Sequence, residues 1–433
     1  MRFVSTRGHA APASLDDAIA AGLAPDGGLY LPERIATVDG DRIALPPPSD
    51  DLAPTAAALL APYFAGSRLR DALPAICAAA FDFPTPLRPQ RGDGDHLLEL
   101  FHGPTAAFKD VGARFLAEVM ARLRGADDPD ITILVATSGD TGAAVGAAFH
   151  RRPGFRVVIL YPDGRVSPRQ AHGLGCFGDN VRALRVAGSF DDCQRLVKQA
   201  LADADLRARA PLGSANSISL GRLLPQAAYY AHSARAHEAA HGGPLNYVVP
   251  TGNLGNALAC WLARAMGLPI GDIVLASNAN DVLPRYFAGA DYAPQPSVAT
   301  LANAMDVGAP SNFERLRAWH ASDDAVRAAM RAVAVDDAAI ADAIRTAPAH
   351  HGVVPCPHTA VGLHVLDALR AAGDARPWAV VATAHPAKFD TIVEPLVGHA
   401  VTPPAPLAAQ LARPAHAEPM AVDYDALRAL LLD

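Results

Sequence analysis

Residues 131–149, ITILVATSGDTGAAVGAAF, decide the fold. ITILVAT (131–137) is a short run of apolar and β-branched residues, followed by a Gly-containing turn and a helical stretch. A run that is apolar on both faces suits a strand of a parallel sheet that is covered on both sides. Working outward, FRVVILY (155–161) and VRALRV (181–186) repeat the signal, and an amphipathic helix around Asp191–Leu201 follows the second. LNYVVPT (245–251), DIVLASN (272–278) and WAVVAT (378–383) are further strands, most with helical sequence after them. This alternation predicts an α/β protein built of two doubly wound parallel units.

The flanks read differently. Residues 1–95 are rich in Ala and Pro, with one helix expected at Leu15–Gly22 and turns at Asp26-Gly27-Gly28 and Pro46-Pro47-Pro48. They are expected to form an accessory domain. The spacing of Val, Ala and Ile predicts helix from Ser322 to Thr346, with Ser322 as its N-cap. A final helix is expected at Tyr424–Leu432.

Composition narrows the function classes. With 51% hydrophobic and 19% charged residues, the 433-residue chain is not disordered and has material for a large core. The net charge of −7 and the lack of a basic run argue against nucleic acid as a partner. No apolar stretch approaches the ~18 residues of a membrane span; the nearest, Ala257–Met266, is cut by Arg264. The N-terminus has no apolar block of signal-peptide type. Five scattered cysteines without a CxxC pair point to reduced thiols and a cytoplasmic protein.

Four segments could carry chemistry. In Phe101–Asp110 (FHGPTAAFKD), Lys109 stands just before a helical run, Val111–Leu123. A lysine desolvated there would hold a neutral amine suited to Schiff-base chemistry; a solvated first-turn lysine is the alternative. Thr137-Ser138-Gly139-Asp140-Thr141-Gly142 lies between a strand and a helix. Its exposed amides suit a carboxylate, though an ordinary N-cap needs no ligand. Pro250-Thr251-Gly252-Asn253-Leu254-Gly255-Asn256 occupies the same kind of position, and its two glycines let the backbone approach a phosphate. It lacks the Gly-Lys-Ser/Thr ending of a P-loop, and a plain strand–helix turn is the competing reading. Ala382–Phe389 (ATAHPAKF) follows a strand and places Thr383 where a ligand would lie.

Two motifs read as decoys. His237-Glu238-Ala239-Ala240-His241 matches the zinc-protease pattern HExxH, but Gly242-Gly243-Pro244 ends the helix at once and no third ligand is evident. An exposed His–Glu pair closing a helix is expected there. Gly173–Gly178 matches GxGxxG without the strand that gives that fingerprint its meaning.

Taken in order, these segments resemble the threonine synthase family, pyridoxal-phosphate (PLP) enzymes of the tryptophan-synthase-β-like fold (PLP fold type II). The resemblance runs from STRG (5–8) and GLAPDGGLY (22–30) through FHGPTAAFKD (101–110), ATSGDTGAAV (136–145), SANSISLGRLLPQ (214–226) and PTGNLGN (250–256). It continues in NAMDVGAPSNFERL (303–316), HTAVG (358–362) and ATAHPAKF (382–389). It implies Lys109 as the lysine joined to the cofactor. Gly252, Asn253, Leu254, Gly255 and Asn256 would form the cradle of the cofactor phosphate, and Thr383 the hydroxyl at its pyridine nitrogen. Ser138, Gly139, Asp140 and Thr141 would take the substrate carboxylate, and Ser214, Asn216 and Arg222 the substrate phosphate. No metal is implied. The implied substrate is O-phospho-L-homoserine, converted with water to L-threonine and phosphate in the last step of threonine biosynthesis, by a monomer or homodimer.

The domains implied are 1–95 (N-terminal accessory), 110–225 (a smaller, mobile α/β domain), 96–109 with 226–400 (a larger, PLP-binding α/β domain) and 401–433 (a C-terminal extension). A threonine or serine dehydratase on the same fold would not need the Ser214–Arg222 group and usually lacks a region like 1–95. A zinc hydrolase using His237 and His241 is the reading from another class.

Overall fold

The computed structural model describes residues 1–125 and 127–433. Near the N-terminus β1 (Phe3–Ser5) and β2 (Tyr30–Pro32) pair antiparallel. The expected helix is present as Leu15–Ala21, with Ser14 accepting from the Asp17 amide as its cap. Two further helices, Leu52–Phe64 and Leu73–Ala80, go beyond the sequence expectation. Their Ala- and Pro-rich sequence hides them, yet Leu59, Leu60, Tyr63, Phe64 and Ile76 are buried in the main core.

The remaining strands are β3 (Leu87–Pro89), β4 (Asp95–Glu99), β5 (Ile131–Ala136), β6 (Phe155–Pro162), β7 (Val181–Val186) and β8 (Leu212–Ser214). They continue with β9 (Leu245–Pro250), β10 (Ile270–Ser277), β11 (Arg331–Ala334), β12 (Trp378–Ala382) and β13 (Glu418–Met420). They form two sheets, a six-stranded one in the order β11-β10-β9-β12-β4-β3 and a five-stranded one in the order β13-β7-β6-β5-β8. All pairings are parallel except β3 with β4. The central strands β9 and β12 are buried at every residue, which explains their unbroken apolar sequence.

The stretch from Ser322 to Thr346 is not one helix, which corrects the expectation. Asp323–Ala329 and Asp337–His350 are helices, and β11 lies between them, paired with β10. Ser322 caps the first, accepting from the Ala325 amide, and Asp336 caps the second, accepting from the Ala339 amide. The short Arg-Ala-Val-Ala strand has no period of its own; the free edge of β10 supplies its backbone partners.

Residues 401–433 are joined to the smaller sheet. β13 extends it beyond β7, and the helix Tyr424–Leu432 buries Leu427 and Leu431 in one cluster with Cys193, Leu196 and Val197 of the helix Phe190–Ala202. All five cysteines are free and buried. Leu427→Ala leaves a cavity in this cluster and is expected to cost about 2–5 kcal/mol of stability. The check is a lower urea midpoint; an unchanged midpoint would contradict the docking of the last helix.

Candidate active site

The carboxyl ends of strands from both sheets open onto one cavity, which is where ligands gather in parallel sheets. Its lining includes Lys109, Thr137, Ser138, Asp140, Thr141, Asn216, Ser217, Arg222, Thr251–Asn256, His358 and Thr383. The helix Phe190–Ala202 contributes Phe190, Gln194, Val197, Lys198 and Leu201.

The segments 101–110 and 382–389 are laced together by main-chain bonds. The Leu100 amide donates to Ala382 O (3.0 Å), the Phe108 amide to Thr383 O (2.8 Å) and the His385 amide to Ala106 O (3.0 Å). Asp110 ties the turn internally, accepting from the Thr105 amide at 2.9 Å and the Thr105 hydroxyl at 2.7 Å. Lys109 is thereby fixed as the first residue of the helix Lys109–Leu123. Burial pushes its ammonium down to about 8; Asp140 opposes the shift, and Arg222 and Lys388 reinforce it.

In the turn after β5, the Thr137 hydroxyl accepts from the Gly139 and Gly142 amides, both at 3.0 Å. Gly139 has φ +134° and leaves no room for a side chain, since a Cβ would sit 2.6 Å from Gln170 Nε2. Gly139 itself is not part of the cavity lining, whereas its neighbours Ser138, Asp140 and Thr141 are. The Asp140 carboxylate turns to Lys388, at 2.7 Å, and accepts from Gln170 Nε2 at 3.2 Å. Burial alone would push this carboxyl up, but Lys388, Lys109 and His358 hold it well below the usual range. An anionic side chain cannot itself receive a carboxylate, which leaves the Ser138 and Thr141 hydroxyls and the remaining amides as the donors this turn could offer an anion.

The loop after β9 is built for close approach. A Cβ on Gly252 would lie 2.7 Å from Met305 Cα. Leu254 takes the left-handed conformation, φ 63°, and opens the helix Gly255–Ala265. Asn253 is spoken for: its Nδ2 donates to the Ser217 hydroxyl (2.6 Å) and its Oδ1 accepts from the Ser311 amide (2.6 Å). Asn256 Oδ1 accepts from Tyr229 and Tyr230, at 2.6 and 2.8 Å, which fixes its amide, while the buried Nδ2 has no partner.

Beyond β8, Arg222 is buried and donates through one terminal nitrogen to Ala215 O at 2.6 Å, leaving Nε without a partner. Burial pushes its guanidinium down to about 10, and Asp110 works the other way. Asn216 lines the cavity with it, but Ser214 does not; the Ser214 hydroxyl accepts from the Asn216 amide at 3.3 Å. Ser217, which the sequence does not single out, lines the cavity instead.

Two more residues escape a reading of the sequence. Lys388 is buried, with Nζ donating to Thr105 O at 2.8 Å beside its bond to Asp140. His358 accepts from the Ala304 amide at 3.1 Å, and burial pushes its imidazole down to about 4. Both lie in segments that carry the resemblance, but a lone Lys or His on a helix gives no sign of pointing into a site.

The HExxH helix is elsewhere. His237 is buried rather than exposed, packed against His96 and His241 with ring centroids 5.4 and 5.0 Å away, and Glu238 is exposed. No group of three His, Cys, Asp or Glu among the described residues could hold a metal ion. Gly173 and Gly175 lie in the helix Pro168–Gly175, not in a strand-to-helix turn.

A desolvated amine, a glycine-lined helix N-terminus and a strand-end hydroxyl around one cavity define a class, the pyridoxal-phosphate-dependent enzymes. The family model for this class ("Pyridoxal-phosphate dependent enzyme") matches residues 82–387; those for "Threonine synthase N terminus" and "Threonine synthase, C-terminal" match 2–81 and 359–431. The threonine synthase of Haemophilus influenzae is 38% identical over 97% of this chain and 96% of its own. That of Escherichia coli is 36% identical over the whole of both. The crystal structure of the E. coli protein superposes with a TM-score of 0.88 at 35% identity, covering 100% of this chain and 99% of that one. A PLP-bound threonine synthase from Brucella melitensis gives 0.89 at 34% identity over the same shares. The chain belongs to the threonine synthase family.

The pH dependence of Lys109 follows from its burial. Only the unprotonated amine attacks an aldehyde, so in the cofactor-free protein its rate of capture should rise with pH through about 8. The rate is followed by absorbance after mixing with pyridoxal phosphate, with correction for the reagent's own ionisation. A midpoint near the ordinary lysine value would contradict the desolvated site.

Proposed function

We propose that this protein is a threonine synthase, which converts O-phospho-L-homoserine and water to L-threonine and phosphate with pyridoxal phosphate as cofactor. The observation that carries the reading is the placement of Lys109, Arg222 and the Gly252–Asn256 loop around one cavity.

The residues present fit the cofactor. The space kept by Gly252, the amides opening the helix Gly255–Ala265 and the unpartnered Asn256 Nδ2 suit its phosphate. Lys109 is the amine to which its aldehyde would be joined, and Thr383 the hydroxyl offered to its ring nitrogen. A neutral hydroxyl there, in place of a carboxylate, does not hold that nitrogen strongly protonated. When bound, the cofactor supplies an electron sink for negative charge at the substrate carbons.

The chain's own groups do the rest. Amides of the Ser138–Thr141 turn hold the substrate carboxylate. With the cofactor bound, Lys109 would be the base for the Cα proton and, after passing that proton on, for a Cβ proton. Arg222 and Asn216 bind the γ-phosphate, and the unpartnered Arg222 Nε strengthens its hold as charge builds on the leaving group. As the phosphate leaves, a proton would be delivered to Cγ, which becomes the methyl group; water would then add at Cβ, and Lys109 would return a proton at Cα. Phe190, Val197 and Leu201 present an apolar wall on the smaller sheet's side that limits stray water.

Product analysis tests the reading. With pyridoxal phosphate, the protein should release threonine and phosphate from O-phospho-L-homoserine. Keto-acid production from threonine or serine, without that reaction, would assign a dehydratase instead. Arg222→Ala should lower kcat/KM for phosphohomoserine by about 10²–10³-fold, as loss of one preorganised donor does. Steady-state kinetics check this, and unchanged values would remove Arg222 from the phosphate site.

A further inference from the structure

The chain contains 37 lysines and arginines, of which only three are lysines: Lys109, Lys198 and Lys388. Lys109 and Lys198 line the cavity, and Lys388 is bonded to Asp140, which also lines it. A sequence that uses arginine everywhere else has kept lysine only at this site. Ammonium and guanidinium are not interchangeable, because a compact point charge fits where a planar fork does not. Lys109 has an evident use for its amine. Lys388 needs a different explanation.

Lys388 is buried and donates to Thr105 O at 2.8 Å and Asp140 Oδ1 at 2.7 Å. The Thr105 carbonyl belongs to the turn that carries Lys109. Lys388 thus spans the lysine-bearing segment and the turn after β5, and it takes up the carboxylate that Lys109 would otherwise pair with. We propose that Lys388 is a positioning residue that saturates Asp140, so that the carboxylate does not capture Lys109 as its counter-ion and the Lys109 amine stays free to react.

The other charged groups facing this pair do not replace Lys388. Arg222 is turned to Ala215 O and feels Asp110. His358 faces Asp140, but its Nε2 accepts from the Ala304 amide and its Nδ1 sits 3.8 Å from Cys356 Sγ. Without Lys388, the remaining partner able to neutralise Asp140 is Lys109, whose charge already acts on it. A buried carboxylate left alone is costly, so the pair Asp140–Lys109 would form and hold the amine protonated.

The proposal rests on Lys109 being the reacting amine, and its test uses no turnover, so the two can fail separately. With lysine labelled by ¹³C at Cε, the full-length cofactor-free protein should give three lysine signals, and exposed Lys198 serves as internal reference. In Lys388→Met the Lys109 midpoint should rise by about one pH unit or more. In Lys388→Met/Asp140→Asn it should return to the wild-type value or below. The double variant removes both members of a buried pair and avoids stranding one charge, so it remains informative if the single variant does not fold. A Lys109 midpoint that is unchanged in folded Lys388→Met, or that stands above wild type in the double variant, overturns the proposal.

Discussion

The withdrawal of one amine from water is the constraint on which the rest depends. Lys109 sits at the start of a helix, where the local dipole and the cost of desolvation both oppose a positive charge. Flexible chain could not keep it there. The turn that carries it is held by Asp110 from within and by the backbone of residues 382–385 from without. Those residues continue from β12, a strand buried at every position. The amine's reactivity therefore traces back to the packing of the larger sheet.

Electrostatics around the cavity follow the same logic. Arg222 and Lys388 both act on Lys109, Lys109 and Lys388 act on Asp140, and the cavity lining holds Lys109, Lys198 and Arg222 against the single carboxylate of Asp140. Arg222 and Lys388 are buried and Lys109 is partly buried, and their roles differ. In the proposed function Lys109 reacts and Arg222 binds a departing anion, while Lys388 is paired with a carboxylate. Such an excess of positive charge suits a cofactor and a substrate that each carry a phosphate. The two sheets share the work, since Lys109, Thr383 and the Gly252–Asn256 loop follow strands of the larger sheet, and Asp140 and Arg222 follow strands of the smaller one.

Much of this is legible in the sequence because buried parallel strands announce themselves. All six apolar runs match strands within a residue or two, DIVLASN starting two residues into β10. Short strands are not legible: β8 is three residues long and β11 is an exposed edge strand whose sequence reads as helix. The strand-end turns are readable as anion sites because glycine and helix starts carry a mechanism with them. Lys388, His358 and Ser217 are not, because their roles depend on what a distant segment brings alongside. Ser214 and Gly139 illustrate the converse, as each lies within a site motif and outside the cavity lining.

Peptide mapping after borohydride reduction tests the central claim most directly. The protein is loaded with pyridoxal phosphate, reduced and digested, and the added mass is located among only three lysines. The account predicts label on Lys109 alone. Label on Lys198 or Lys388 with Lys109 unmodified would contradict it.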